Sequence, residues 1–115
     1  MVRRYEKISP IEKEKLRGGN GVASLRTVFS PEQMRDKLNM FTLVSLPPGA
    51  SVGQHEHSDD SEIYYIVKGR AEVSDNGSRQ TLYPGDSLLT GKGESHSIIN
   101  PGPETLEFLA VILPE

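Results

Sequence analysis

The feature that most restricts how this chain can fold is its punctuation. Eight prolines and eleven glycines interrupt 115 residues, and the apolar runs between them are short. Turn signals spaced in this way favour many short strands over long helices, arranged as a sandwich or barrel. The expected strands are Val22 to Phe29, Phe41 to Leu46, Ser51 to His57, Glu62 to Val67, Arg70 to Ser74, Arg79 to Leu82, Ser87 to Thr90, Ser95 to Ile99 and Thr105 to Leu113. Asp75-Asn76-Gly77 is a hairpin signal, because Asn-Gly accepts positive φ. Ser30-Pro31-Glu32-Gln33 carries an N-cap serine, a proline at the first helical position and a glutamine at the capping-box position. It predicts one short helix over 31–38. The length suits one domain with one core. Residues 1–20 are charged and read as an N-terminal extension, and 21–115 as a single domain.

Composition excludes several functions. The net charge is −3, so no basic surface for nucleic acid is expected. There is no cysteine, which rules out disulfides and thiolate metal sites. The N-terminal MVRRYEKISPIEKEK has charge but no apolar signal-peptide core. No apolar run approaches a membrane span. The expectation is a soluble, cytoplasmic protein with neither nucleic acid nor membrane as partner.

The chemistry lies in the histidines. All three fall in one spaced pattern, Gly49-x5-His55-x-His57-x4-Glu62-x6-Gly69, then Gly85-x10-His96-x3-Asn100. Histidines at i and i+2 on a strand point to the same side of a sheet. A carboxylate arriving through a short loop can turn back onto them, and a histidine on a later strand closes the set. Three neutral imidazoles and one carboxylate suit a divalent first-row ion: Mn, Fe, Co, Ni, Cu or Zn, which donor softness does not separate. His55, His57, Glu62 and His96 are therefore the expected metal ligands. An octahedral ion would keep up to two positions open, whereas a purely structural site is closed. One carboxylate on a divalent ion leaves a charge of +1, favouring small anionic oxygen ligands, so the expected function is to bind or transform a small carboxylate, enolate or sugar-like molecule.

These residues resemble the cupin superfamily. GASVGQHEHSDDSEIYYIVKG, Gly49 to Gly69, is similar throughout to the first cupin motif. GDSLLTGKGESHSIIN, Gly85 to Asn100, is similar to the second, except that Gly91 stands where that motif has proline. The fifteen-residue spacer, Arg70 to Pro84, is of the kind seen in small microbial single-domain cupins. The resemblance implies an all-β jelly-roll barrel of oxalate-decarboxylase-like or dioxygenase-like type, and commonly a homodimer. It does not fix a reaction, since similar proteins include dioxygenases, decarboxylases, isomerases and ligand-binding domains. Oxalate-degrading members place an arginine shortly before the histidine pair; Ala50 to Gln54 has none.

Register from the ligands puts Ser51, Gly53, Tyr64, Ile66, Ile98 and Asn100 on the inner face, and Gln54 and Glu56 outside. Tyr64 is the candidate catalytic side chain, a potential hydrogen-bond donor to substrate. Asp59 and Asp60 read as a solvated loop tip, and Glu12 to Lys15 as a solvated charge run. Arg17-Gly18-Gly19-Asn20-Gly21 reads as a flexible turn, with an anion cradle as the alternative. Arg26 is expected to face outward in a salt bridge, with pairing to a substrate carboxylate inside the barrel as the alternative. Phe41 to Leu46 reads as buried on both faces. Phe108 to Leu113 lacks polar alternation; its outer face is a candidate dimer interface or is covered by N-terminal residues.

Overall fold

Turn residues set the ends of the strands. In the computed structural model, which describes all 115 residues, ten strands follow in order. They are β1 Ile11–Glu14, β2 Val22–Thr27, β3 Met40–Leu46, β4 Ser51–Glu56, β5 Asp60–Lys68, β6 Ala71–Asp75, β7 Ser78–Leu82, β8 Ser87–Thr90, β9 Ser95–Ile99 and β10 Leu106–Pro114. All paired strands are antiparallel. The larger sheet has the order β1-β2-β3-β10-β5-β8 and the smaller β4-β9-β6-β7. This is the all-β, two-sheet architecture that the resemblance implied. The Asn76-Gly77 hairpin forms as read, with both residues at positive φ joining β6 to β7.

The core lies between the two inner faces. Val44, Leu46, Tyr64, Ile66, Phe108 and Ala110 come from the larger sheet; Val52, Val73 and Ile98 come from the smaller. Period-2 alternation accounts for this set. In β10 the apolar run conceals it: Phe108 and Ala110 are buried, while Leu109 and Val111 lie half-buried on the outer face. β3 behaves likewise. Its inner Thr42, Val44 and Leu46 are buried and its outer Phe41, Leu43 and Ser45 are only half-buried, so one face is fully covered, not two.

Three expectations fail locally. The helix over 31–38 does not form. Its capping contacts do: Ser30 N donates to Gln33 Oε1 at 2.9 Å, and Gln33 N to Ser30 Oγ at 3.2 Å. One turn follows, and then Arg35 and Asp36 enter the left-handed region and close it, with Asp36 N donating to the Pro31 carbonyl. A segment this short gains too few hydrogen bonds to offset helix nucleation. The only helical pieces are 3-10 turns at Tyr5–Lys7 and Leu16–Gly18. Second, Ile11–Glu14 is not among the expected strands yet forms an exposed edge strand on β2, while the charge run Glu12 to Lys15 is solvated as read.

Third, the register of β4 shifts. Val52 opposes Ile98 and His55 opposes His96, three steps on β4 against two on β9. Gly53-Gln54 is therefore a bulge, which turns Val52 inward where Ser51 and Gly53 were expected. Without the bulge, Val52 and His55 would face opposite sides. The remaining inner-face assignments hold: Glu62, Tyr64, Ile66, His96, Ile98 and Asn100 are all buried. The Asn100 amide ties loops together, donating to the carbonyls of Leu46 and Glu104 and accepting from Gly102 N.

Candidate metal centre

His55 on β4 and His96 on β9 face each other across the smaller sheet, and His57 follows just beyond the end of β4. Glu62 reaches them from β5 of the larger sheet, where it pairs with Thr90 of β8. The four residues predicted as ligands thus come together between the sheets as a group that could hold a metal ion. Glu62, His57 and His96 are buried, and His55 is partly open.

Each imidazole is oriented through its Nδ1. His55 Nδ1 stands 2.8 Å from the Gly53 carbonyl, His57 Nδ1 2.6 Å from Asp60 Oδ1 and His96 Nδ1 2.7 Å from Thr90 Oγ1. A carbonyl and a carboxylate only accept, so His55 and His57 carry their proton on Nδ1 and aim the Nε2 lone pair inward. With Thr90 also accepting, all three lone pairs meet. His96 Nε2 lies 3.0 Å from His55 Nε2 and 3.1 Å from His57 Nε2. Glu62 Oε1 lies 3.0 Å from His57 Nε2, 3.1 Å from His96 Nε2 and 4.0 Å from His55 Nε2. Lone pairs and a carboxylate oxygen at these separations repel unless positive charge sits among them. The donor set fits a cation.

The spacing fits as well. Ligands at right angles about an ion at about 2.1 Å stand about 3.0 Å apart, and tetrahedral neighbours about 3.4 Å. The four short contacts match the first arrangement, and the 4.0 Å His55–Glu62 separation approaches an octahedral diagonal.

Electrostatics prepares the same state. Burial works against the Glu62 carboxylate, yet the imidazoles of His55, His96 and His57 packed around it outweigh burial and hold its pKa at about 2. By distance, the nearest of these contacts are His57 and His96. Burial also lowers the His96 pKa, with Glu62 opposing that shift, so the ring stays neutral. Both changes keep the donors deprotonated. Tyr64 is pushed up by burial and by the Glu62 charge, so its phenol stays protonated. Its ring stacks on His96, 4.6 Å between centroids and 16° from parallel, and leans on Phe108.

A cavity of about 160 Å³ opens onto the cluster. His55, His57, Glu62 and Tyr64 form its floor, and Leu25, Met40, Val44, Val52 and Phe108 are among its apolar walls. Sequence reasoning missed two residues here. Asp60 is not a solvated loop tip but the carboxylate that orients His57. Arg17 lines the cavity, so the turn carrying it is more than a flexible connection. A search for a carboxylate near each ligand histidine would have flagged Asp60. The glycine-rich turn of Arg17 offers an anion cradle only as the alternative reading, and a long-range contact with the bulge of β4 brings it to the cavity. Arg26 does face outward, but it stacks under Tyr5, 4.5 Å from the ring centroid, rather than forming a salt bridge, and its buried Nε has no partner.

The Cupin domain model matches residues 42–112, well over half of the chain. The chain is a cupin. This cupin is 44% identical to a Thermotoga maritima protein named oxalate-binding protein, over 98% of its own length and 93% of the relative's. A Thermotoga maritima crystal structure, described as a predicted oxalate decarboxylase, superposes with a TM-score of 0.98 at 43% identity and covers both chains completely. KdgF from a Halomonas species superposes with a TM-score of 0.79 at 21% identity, over 100% of this chain and 96% of the other, which is a likeness of fold. The departure at Gly91 has a local reason in this cupin. Gly91 N donates to Glu94 Oε1 at 2.7 Å, a bond proline cannot make.

Proposed function

We propose that this cupin holds one divalent transition ion on His55, His57, Glu62 and His96 and captures a small dicarboxylate of oxalate type beside it. The observation that carries this reading is the convergence of three imidazole lone pairs and one carboxylate oxygen, with four of their separations at 3.0–3.1 Å. An ion held by these four donors would keep room for further oxygen ligands if it were six-coordinate, and the cavity that His55, His57 and Glu62 line would admit them. An ion held there supplies Lewis-acid charge to draw a carboxylate.

The chain's own residues select the size of the ligand. The cavity is far below the about 300–1,000 Å³ of sites for drug-sized molecules. A cavity of that size suits a molecule of a few heavy atoms. The apolar walls lower the local dielectric and so strengthen charge contacts inside. The 44% identical relative named for binding oxalate supports the same ligand class.

If the ligand is transformed, Tyr64 is the side chain to carry the proton, because its phenol is held neutral beside Glu62. If it is only held, the protein is a binding or sensing domain, as the relative's name favours. Turnover of oxalate or a related anion separates the two. The same reading includes a homodimer through the outer face of the larger sheet, where Tyr65, Val67 and Leu89 are exposed.

The test is calorimetric titration of oxalate into the Mn-loaded protein. Saturable binding that disappears after chelation and in His57→Ala is expected. Equal binding with and without metal would overturn the proposal.

A further inference from the structure

Building on that function, we propose that Arg17 is the specificity-determining cation of the cavity, gripping the outer carboxylate oxygens of a dicarboxylate whose inner oxygens face the histidines and Glu62. Arg17 is the single lysine or arginine among the residues lining the cavity. No carboxylate of the chain forms a salt bridge with it. Its charge is therefore free for an incoming anion. A guanidinium presents a planar fork that matches a carboxylate in two parallel hydrogen bonds.

The backbone that carries Arg17 is fixed to the strand that carries His55. Lys15 and Arg17 both take left-handed conformations, which fold the segment sharply at Leu16–Gly18. Lys15 N donates to the Gly21 carbonyl at 2.9 Å, closing the loop on itself. Ser51 N donates to the Asn20 carbonyl at 2.9 Å, and Asn20 N to Ser51 Oγ at 2.8 Å. Gly53 lies against the Arg17 carbonyl so closely that a β-carbon at Gly53 would overlap it; Gly19 meets the Ser51 carbonyl in the same way. Two glycines thus press the N-terminal segment onto the bulge beside the metal ligands. Side-chain freedom remains at Arg17, but its root is pre-positioned, which lowers the cost of ordering it on binding.

The experiment compares Mn-loaded wild type, Arg17→Gln and Arg17→Lys with two chelating probes. Oxalate carries two carboxylates; glycolate carries one carboxylate and a neutral hydroxyl. Arg17→Gln should keep its metal and its melting temperature, yet bind oxalate about 30- to 100-fold more weakly, as expected for loss of a bidentate charged pair. Glycolate should weaken by less than about threefold, and Arg17→Lys should fall between for oxalate. Unchanged oxalate affinity in Arg17→Gln, or an equal loss for both probes, overturns the inference while leaving the metal site standing. Failure of wild type to bind either probe overturns both this inference and the proposed function.

Discussion

Asp60 Oδ1 lies 2.6 Å from His57 Nδ1, three residues back along the loop that leads into β5. The carboxylate fixes the ring's tautomer and raises the basicity of Nε2. Outer partners of this kind typically change metal affinity by about 10- to 100-fold. Asp60→Ala should therefore weaken metal retention in that range, and Asp60→Asn by less, since its amide oxygen still accepts. Competition with a graded chelator measures both. Equal retention in all three proteins would show that the loop carboxylate does not orient the site.

Gly91→Pro would restore the proline of the second cupin motif and remove the Gly91 N–Glu94 Oε1 hydrogen bond. A partly buried bond to a charged acceptor contributes about 1.5–3 kcal/mol. Urea unfolding should show a loss of that order. A neutral or stabilised variant would mean that Glu94 finds another donor at no cost.

Much of this site was legible because spacing on strands converts directly into geometry. His96 and Ile98, or Glu62 and Tyr64, share a face by period alone. What was not legible depends on events that period cannot register. The bulge at Gly53-Gln54 reverses the parity between Val52 and His55. The 31–38 segment has every local start signal of a helix but turns left-handed at Arg35 and Asp36. Arg17 reaches the cavity only because Gly19 and Gly53 let two backbones touch, a contact between segments more than thirty residues apart.

The metal-free protein should lose stability in two ranges as pH falls. Burial depresses the folded pKa of His96, so below about 6.5 the unfolded chain takes up a proton that the native state does not. Glu62 falls from 4.5 to about 2 on folding, so its contribution is complete above 4.5 and fades as pH falls toward 2. Bound metal requires deprotonated ligands, so its added stabilisation should be large at pH 7.5 and small at pH 5. Melting curves with and without chelator at both values test this. A gap of equal size at both would contradict it.

The outer face of the larger sheet should pair two copies. Tyr65, Val67 and Leu89 are exposed there beside half-buried Leu109 and Val111, and β8 forms the sheet edge. Sedimentation at micromolar concentration should give a dimer, and Leu89→Arg a monomer that keeps its metal. A monomeric wild type would dismiss this interface.

Water-proton relaxation of the Mn-loaded protein tests the central claim most directly, because it reports water on the ion itself. Open positions facing the cavity predict high relaxivity that falls saturably as oxalate is added while the metal stays bound. Relaxivity that is low from the start, or flat through the titration with metal retained, would contradict the open site and leave a closed structural one.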